Sequence, residues 1–418
     1  MARTKASLPD GSRISDYISL GVVAASFPKE KVADVLRRTG RTSSRERDLP
    51  AHVVVYYVIA LGLFMQVSYR EVLRCLLEGV QWLVGTTVDV KVVGNSGISQ
   101  ARTRLGWIPV QALHDEVVRP IARPSTRGAW FKRWRIVSLD GSSLDIPDEA
   151  NNAREFGKQT SPRGETAFPQ IRFVSLVENG THVLFGSRMG PYGVSENALA
   201  VGVIPSLVPG MLCLADRGFY GFNLWTKAQA TGADLLWRTR MSALLPRENA
   251  LEDGSFLTTI FASPKDRPRR RGGVLVRVVE YTLDGIEGVE SVYRLATTIL
   301  DPKQASALEL ATLYQERWEI EGAFDELKTH LRGSRIILRS KTPDLVRQEF
   351  YGLMMAHFAV RGLMHEAALK ADLDPDRLSF QHSVRIVRRK MTRFAALPPS
   401  GVARTPRKRA AGNSGRAC

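Results

Sequence analysis

The stretch Leu310–Leu331, LATLYQERWEIEGAFDELKTHL, predicts one amphipathic helix, and the interpretation of the whole chain depends on it. Gly322 is its one residue of low helix propensity, and the stretch contains no proline. At about 100° per residue, one arc of about 60° carries only apolar side chains, namely Leu313, Ile320, Phe324, Leu327 and Leu331. We expect this apolar stripe to face the protein core.

A second face of the predicted helix carries Tyr314, Arg317, Glu321 and Lys328. Their spacing returns each side chain to one side of a helix. The ordinary interpretation is a solvated face with an i,i+4 ion pair between Arg317 and Glu321. The chemical interpretation is a phosphodiester site, because a carboxylate can bind a divalent cation while arginine and lysine bind phosphate oxygens.

The same four residues form the pattern Y-x2-R-x3-E-x6-K. This pattern resembles the signature of bacterial insertion-sequence transposases of the insertion-sequence-four type, which are DDE enzymes. The resemblance implies that Glu321 is the third catalytic acid and that two catalytic aspartates lie upstream. Asp140-Gly141 resembles the first aspartate motif of the family, and the sequence DRGF that starts at Asp216 resembles the second.

Both aspartates follow short β-rich runs. Trp134–Leu139 and Met211–Ala215 predict buried strands that end immediately before Asp140 and Asp216. The carboxyl ends of strands are where α/β sheets present their ligands. A hairpin turn is the alternative interpretation of the Asp140-Gly141 dipeptide.

The predicted elements after residue 130 follow the order β-β-β-α-β-α-β-α, which is expected of a ribonuclease H-like core. The further strands and helices are predicted at 171–177, 182–187, 197–208, 222–231 and 234–240. We therefore predict an α/β (α+β) fold class: a ribonuclease H-like catalytic core with a β-rich insertion, preceded by an all-helical N-terminal domain. One or two helices at 342–371 and a short helix at 380–394 are predicted to follow.

A chain of 418 residues is too long for one compact core, so several domains are expected. We predict a helical DNA-binding or accessory domain at 1–125, a catalytic domain at 126–375 with its insertion at about 241–300, and a C-terminal helix with a basic tail at 376–418. The runs at 49–64 and 97–106 resemble the family's N-terminal domain, which helps bind terminal repeats. A purely accessory or dimerisation role remains the alternative.

The formal net charge of +17 favours a polyanionic partner. Ten Lys or Arg and no acid occur in residues 384–418, so the tail carries much of this charge. The cysteines are few and lie far apart, which argues against a disulfide framework and fits a reducing cytosol. The apolar run Val53–Phe64 is shorter than the roughly 18 residues that span a bilayer, so we expect a buried helix and no membrane partner.

The resemblance implies a transposase that cleaves DNA at the ends of an insertion sequence and transfers the strands into target DNA. Asp140, Asp216 and Glu321 would hold two Mg²⁺ ions, with Mn²⁺ able to substitute. Tyr314, Arg317 and Lys328 would contact DNA. The implied partners are double-stranded DNA, as terminal inverted repeats and as target, and a second copy of the chain in a synaptic complex. The implied location is the bacterial cytoplasm, at the nucleoid.

Several alternatives remain at this point. Asp145, Asp148 and Asp325 compete for the catalytic roles, but Asp140 ends the apolar run and only Glu321 keeps the motif spacing. Trp318 could stack on a base, although we expect a packed aromatic residue. His330 is expected to be a surface or cap residue. A catalytically silent DNA-binding protein and a hydrolytic nuclease with the same core are the competing functions.

Overall fold

The first part of the chain is helical, as predicted. The structure is a computed structural model, and it describes residues 22–44, 49–84, 93–161, 164–282, 292–334 and 336–394. The N-terminal helices are α1 Val22–Ser26, α2 Lys29–Arg38, α3 Ala51–Leu63, α4 Tyr69–Val84, α5 Asn95–Leu105 and α6 Ile108–Val117. The first 21 residues of the predicted helical domain and the tail beyond residue 394 lie outside the described residues.

The rest of the chain alternates strands and helices. The strands are β1 Trp130–Phe131, β2 Trp134–Asp145, β3 Lys158–Ser161, β4 Gly164–Glu178, β5 Val183–Pro191, β6 Met211–Ala215, β7 Asp234–Arg238, β8 Asn249–Ala250, β9 Phe256–Ile260, β10 Val274–Tyr281 and β11 Tyr293–Thr297. The helices are α7 Ala150–Phe156, α8 Glu196–Val203, α9 Phe222–Gln229, α10 Ala307–Tyr314, α11 Glu319–Asp325, α12 Pro343–Ala371 and α13 Phe380–Phe394. Short 3₁₀ turns lie at Ile204–Ser206, Gln315–Trp318 and Pro375–Arg377, and Glu326–Gly333 is π-helical.

One mixed sheet organises the part of the chain after residue 129. Its central strands lie in the order β5-β4-β2-β6-β7, with β4 antiparallel to β2 and with β6 and β7 parallel to it. This is the predicted ribonuclease H-like arrangement. The insertion continues the same sheet, because β11 pairs with β7 and is followed by β10, β9 and β8. Strands β8 and β9 were not predicted from the sequence.

Strand β2 is longer than predicted. The prediction that it ends at Leu139 is wrong, because antiparallel pairing with β4 continues from Val137 to Asp145. The alternative of a hairpin turn at Asp140-Gly141 is wrong for the same reason. What ends at Leu139 is the parallel pairing with β6, whose last partner is Ala215. Asp140 is thus the first residue of β2 beyond the parallel ladder.

The predicted helix at 310–331 is a continuous helical segment that is not a single regular helix. It consists of α10, a 3₁₀ turn, α11 and the π-helical turn. Its apolar stripe is buried as predicted, but it contacts both faces of the sheet. Leu313 packs in the cluster that contains Leu212 and Leu214, whereas Ile320 packs in the cluster that contains Cys213 and Ala215. Since alternate residues of β6 point to opposite faces, the segment passes from one face of the sheet to the other.

The N-terminal helices share a core with the catalytic part of the chain. Helix α3 is buried over nearly its whole length and packs on α12. The buried guanidinium of Arg102 in α5 donates to Gln348 Oε1 (2.8 Å) and to Ser340 Oγ (3.0 Å). The predicted boundary near residue 125 falls between α6 and β1. None of the helices in the described ranges is both long enough and apolar enough to cross a membrane.

The α3–α12 contact leads to a stability prediction. A Cβ atom on Gly352 would lie 2.5 Å from the carbonyl oxygen of Val58, whereas a Cβ on Gly362 of the same helix would meet nothing within 4 Å. Gly352→Val should therefore lower the free energy of unfolding by at least about 1–3 kcal/mol through overpacking. Gly362→Ala should be neutral or stabilising by about 0.5–1 kcal/mol. Urea unfolding of both variants measures the difference, and equal stabilities would contradict this packing.

Candidate active site

Asp140 and Asp216 lie side by side where the parallel pairing of β2 with β6 ends. Their preceding residues, Leu139 and Ala215, are register partners. Adjacent strands are about 4.8 Å apart, so the two aspartates occupy neighbouring positions just beyond the parallel ladder. The charge of Asp216 acts on Asp140 and contributes to raising its pKa. The structure thus brings together two of the three predicted acids.

The carboxyl group of Asp140 is partly shielded from solvent. Burial raises its pKa to about 6, and the charges of Glu196 and Asp216 add to this effect. The Gly141 N–H donates to Asp140 Oδ1 at 2.8 Å, and this bond and the charge of Arg317 oppose the increase. Because burial disfavours the charged form, Asp140 is a carboxylate that needs positive charge nearby.

Arg317 lies between Asp140 and the third predicted acid, Glu321. Its side chain is buried, its Nη1 donates to Asp140 Oδ2 at 3.3 Å, and its Nη2 is 4.0 Å from Glu321 Oε1. Glu321 itself is exposed. The i,i+4 ion pair between Arg317 and Glu321 that the sequence suggested is therefore present. Arg317 also pairs with Asp140, so its side chain connects α11 to β2.

Tyr314 and Lys328 attach the helical segment to the same strand ends. The Tyr314 hydroxyl donates to the Ala215 carbonyl at 3.2 Å, and the side chain is 6% exposed. Tyr314 therefore does not reach a DNA backbone in this conformation, which differs from its predicted contact. Lys328 is half-buried, and its Nζ donates at 3.1 Å to the hydroxyl of Ser142, two residues after Asp140 and on the same face of β2.

The competing acids are bound to other side chains. Asp145 accepts a hydrogen bond from Gln170 at 2.7 Å. Asp148 pairs with Lys158, and Asp325 pairs with His330, which fits the expected surface role of that histidine.

Glu196 is an acid of this site that the sequence did not reveal. It is the first residue of α8, and a Cβ atom placed on Gly141 would lie 2.7 Å from its Oε1. The Glu196 carboxylate therefore lies directly over the backbone next to Asp140. In the sequence Glu196 resembles an ordinary first-turn acid, because Ser195 caps the helix by accepting from the Ala198 N–H.

Trp318 is 58% exposed, so the expectation of a packed aromatic residue is wrong. It lies in the 3₁₀ turn, where the segment passes from one face of the sheet to the other. The guanidinium carbon of Arg317 lies 5.0 Å from its ring centroid. An accessible aromatic face thus lies beside the residue that bridges Asp140 and Glu321.

The three predicted acids suit divalent cations by chemistry, since carboxylate oxygens are hard ligands. In the described residues, however, the group of three ligands whose atoms lie within 4.8 Å of one another is His182, Glu319 and Asp376. Asp140, Asp216 and Glu321 do not form such a group. A two-metal site does not require it, because acids that bind separate ions about 3.5–4 Å apart need not converge on one point.

Two family models match the sequence. The model described as insertion element 4 transposase N-terminal matches residues 17–115. The model described as transposase DDE domain matches residues 133–359, which is more than half of the chain. The second match includes Asp140, Asp216 and the helical segment that carries Glu321.

Two curated proteins of Escherichia coli (strain K12) are similar over long stretches. "Transposase InsG for insertion sequence element IS4" is 27% identical over 386 residues, which is 89% of this chain and 83% of the relative. "Putative transposase InsZ" is 23% identical over 279 residues, which is 63% of this chain and 90% of the relative. Among solved structures, the cryo-EM structure of a piggyBac transposase synaptic complex with hairpin DNA has a TM-score of 0.45 at 12% identity, covering 91% of this chain and 80% of that one.

The raised pKa of Asp140 leads to a pH prediction. Its folded pKa of about 6 exceeds the ordinary 3.8, so between these values the folded state binds more protons and stability falls as pH rises. The substitution Asp140→Asn removes the ionisable group and with it this loss of stability at higher pH. Without metal, the variant should exceed the wild type in free energy of unfolding by up to about 3 kcal/mol near pH 7.5, and by much less near pH 4. Urea unfolding in EDTA tests this, and a pH-independent difference would contradict it.

Proposed function

The chain belongs to the DDE transposases with an insertion element 4 N-terminal region, and on this premise we propose that Asp140, Asp216 and Glu321 are its catalytic, metal-binding acids. The protein is a transposase, an enzyme that cleaves DNA and depends on divalent metal, as enzymes of this family do. The observation that supports the assignment of the acids is the parallel register that ends at Leu139 and Ala215. It aligns the two aspartates beneath the segment that carries Glu321.

We propose that two Mg²⁺ ions bind at these acids and that Mn²⁺ can replace them. Bound there, they would activate the attacking water or 3′-hydroxyl and stabilise the leaving oxygen. Asp140, Asp216 and Glu321 would together hold these ions. Because its pKa is raised, the Asp140 carboxyl binds a proton more readily than usual, and metal binding would displace that proton.

We propose that Arg317 has two successive partners. In this structure its guanidinium compensates Asp140 and Glu321. When cations take over that compensation, the planar fork would be free to bind a DNA phosphate bidentately. Lys328 would bind a neighbouring phosphate as a point charge, from its place on Ser142. Tyr314 would act indirectly, by holding the end of β6 through the Ala215 carbonyl.

The proposed substrate is double-stranded DNA, first as the terminal inverted repeats of an insertion sequence and then as target DNA. A homodimer would hold two ends in a synaptic complex. Residues 1–125 would contribute to end recognition, and the insertion would extend the DNA-binding surface. The exposed arginines 269–271, in the turn between β9 and β10, support the second assignment. Exposed Trp318 would stack on a base next to the cleaved bond.

The catalytic assignment predicts a selective defect. Asp140→Ala, Asp216→Ala and Glu321→Ala should each lower the rates of DNA cleavage and strand transfer by at least about a hundredfold, because each change removes a metal ligand. DNA affinity should stay within about threefold, because phosphate binding by Lys and Arg supplies most of it. Asp325→Ala is the matched control on the same helix and should cleave normally. Near-normal cleavage by any of the three variants would remove that residue from the site.

A second prediction separates phosphate binding from a surface ion pair. Arg317→Lys keeps the charge but loses the fork that reaches both Asp140 and Glu321, so single-end cleavage should fall by about tenfold or more. Lys328→Arg should be milder than Lys328→Ala, because only a point charge is proposed there. Cleavage kinetics at saturating Mg²⁺ and matched salt measure all three. If Arg317 were only a surface pair, each change would cost under about 1 kcal/mol in activation free energy.

A further inference from the structure

A histidine and two carboxylates from distant parts of the chain converge on the side of α11 away from Glu321. His182 ends the turn between β4 and β5, Glu319 begins α11, and Asp376 lies in the 3₁₀ turn after α12. His182 Nε2 is 3.8 Å from Glu319 Oε2 and 3.4 Å from Asp376 Oδ1. The three ligand atoms lie within 4.8 Å of one another.

We propose that His182, Glu319 and Asp376 form a structural site for a divalent cation of the zinc type, separate from the catalytic metals. Zinc binds imidazole nitrogen at about 2.0–2.1 Å and carboxylate oxygen at about 2.0–2.2 Å, so tetrahedral ligands lie about 3.3–3.6 Å apart. The observed separations are close to that spacing. A mixed nitrogen and oxygen donor set suits zinc better than Mg²⁺, which prefers oxygen ligands alone.

The outer surroundings of the histidine fit a metal ligand. His182 Nδ1 lies 3.1 Å from Glu326 Oε1, and a carboxylate at this position typically orients a zinc-bound imidazole. Arg361 Nη2 contacts both Nδ1 and the same Glu326 oxygen, while His357 Nε2 lies 3.3 Å from the other oxygen. A guanidinium N–H can only donate, so the contact between Arg361 Nη2 and Nδ1 fits an Nδ1 without a proton. A metal on Nε2 requires instead that the Nδ1 proton points at Glu326 and that Arg361 donates to that carboxylate alone.

The charges around the site would be balanced by a dication. Arg361 forms an ion pair with Glu326, so these two compensate each other. Among the described residues, His182 is the ion-pair partner of both Glu319 and Asp376. A histidine that binds a metal is neutral, so it does not compensate their charge. Once a bound cation has displaced their protons, Glu319 and Asp376 carry two negative charges, and Glu316 and Asp374 lie close enough to add to them. A dication balances Glu319 and Asp376.

A cation here would fix the helix that carries Glu321. A Cβ atom on Gly322 would lie 3.4 Å from His182 Cε1, so the imidazole packs against the backbone next to Glu321. The Gly180 N–H also donates to Glu319 Oε2 at 2.5 Å. The bound ion would tie α11 to the β4–β5 turn and to the turn after α12, and it would hold the third catalytic acid in place.

The test uses the full-length, tag-free chain in which the proposed catalytic acids are replaced, Asp140→Asn, Asp216→Asn and Glu321→Gln. Because this parent lacks the proposed catalytic acids, any zinc that it retains is bound elsewhere. The result of this test is therefore independent of the proposed catalytic function. After loading with Zn²⁺ and desalting, the parent should retain about one zinc per chain, measured by atomic emission. Zinc should also raise its thermal unfolding midpoint, and Co²⁺ should give the intense visible absorption of a tetrahedral site.

His182→Asn in this parent should abolish zinc retention and the thermal shift. Asparagine is chosen because His182 has φ +54°, a conformation that asparagine tolerates. Glu319→Gln and Asp376→Asn, which keep the side-chain shape, should each do the same if the histidine variant fails to fold. Glu326→Gln keeps all three ligands and should weaken zinc binding about 10–100-fold. His330→Gln, on the adjoining π-helical turn, is the matched control and should bind zinc like the parent.

The competing explanation is a network without metal. Burial raises the pKa of Glu319 to about 9, so a proton shared with Glu316 could replace the cation. In that case the parent retains no zinc, its unfolding midpoint does not respond to zinc or EDTA, and Glu319→Gln leaves stability unchanged. Either that result or equal zinc retention by the parent and His182→Asn overturns the proposal.

Discussion

The parallel pairing of β2 with β6 is the constraint on which the site depends. Its ladder stops at Leu139 and Ala215, and the next residue on each strand is an aspartate. Because β2 continues on β4 beyond that point, the backbone at Asp140 is held by a sheet rather than by a loop. Two acids at such a place repel each other and lose hydration, which raises the pKa of Asp140. Positive charge must be supplied there, by Arg317 in this structure and by metal ions in the proposed reaction.

The helical segment 307–333 supplies that charge, and its irregular geometry is tied to its path. It packs on one face of the sheet through Leu313 and on the other through Ile320, so it must pass over the ends of the central strands. The 3₁₀ turn lies at the passage and carries Arg317 and Trp318, whereas the π-helical turn follows the acid Glu321. Such departures from regular α-helix are frequent at functional sites.

The same segment connects the catalytic centre to the rest of the molecule. Glu319 and Glu321 lie about 200° apart around α11, so one faces the His182 cluster while the other faces Asp140. The N-terminal helices pack on α12, which in turn holds Glu326 through Arg361. The N-terminal helices and the π-helical turn after Glu321 therefore pack on the same helix, α12.

Local sequence determined much of this architecture. The helical N-terminal region, the strands before Asp140 and Asp216, the burial of the apolar stripe and the motif around Glu321 all follow from periodicity, strand propensity or motif spacing over a few residues. The extension of β2, the bridge from Arg317 to Asp140, the place of Glu196 over Gly141 and the exposure of Trp318 were decided only by the tertiary structure. The physical reason is that they depend on neighbours far away in the chain: 177 positions separate Asp140 from Arg317. Local propensity carries no information about which surface a side chain will meet once the sheet and its helices have packed.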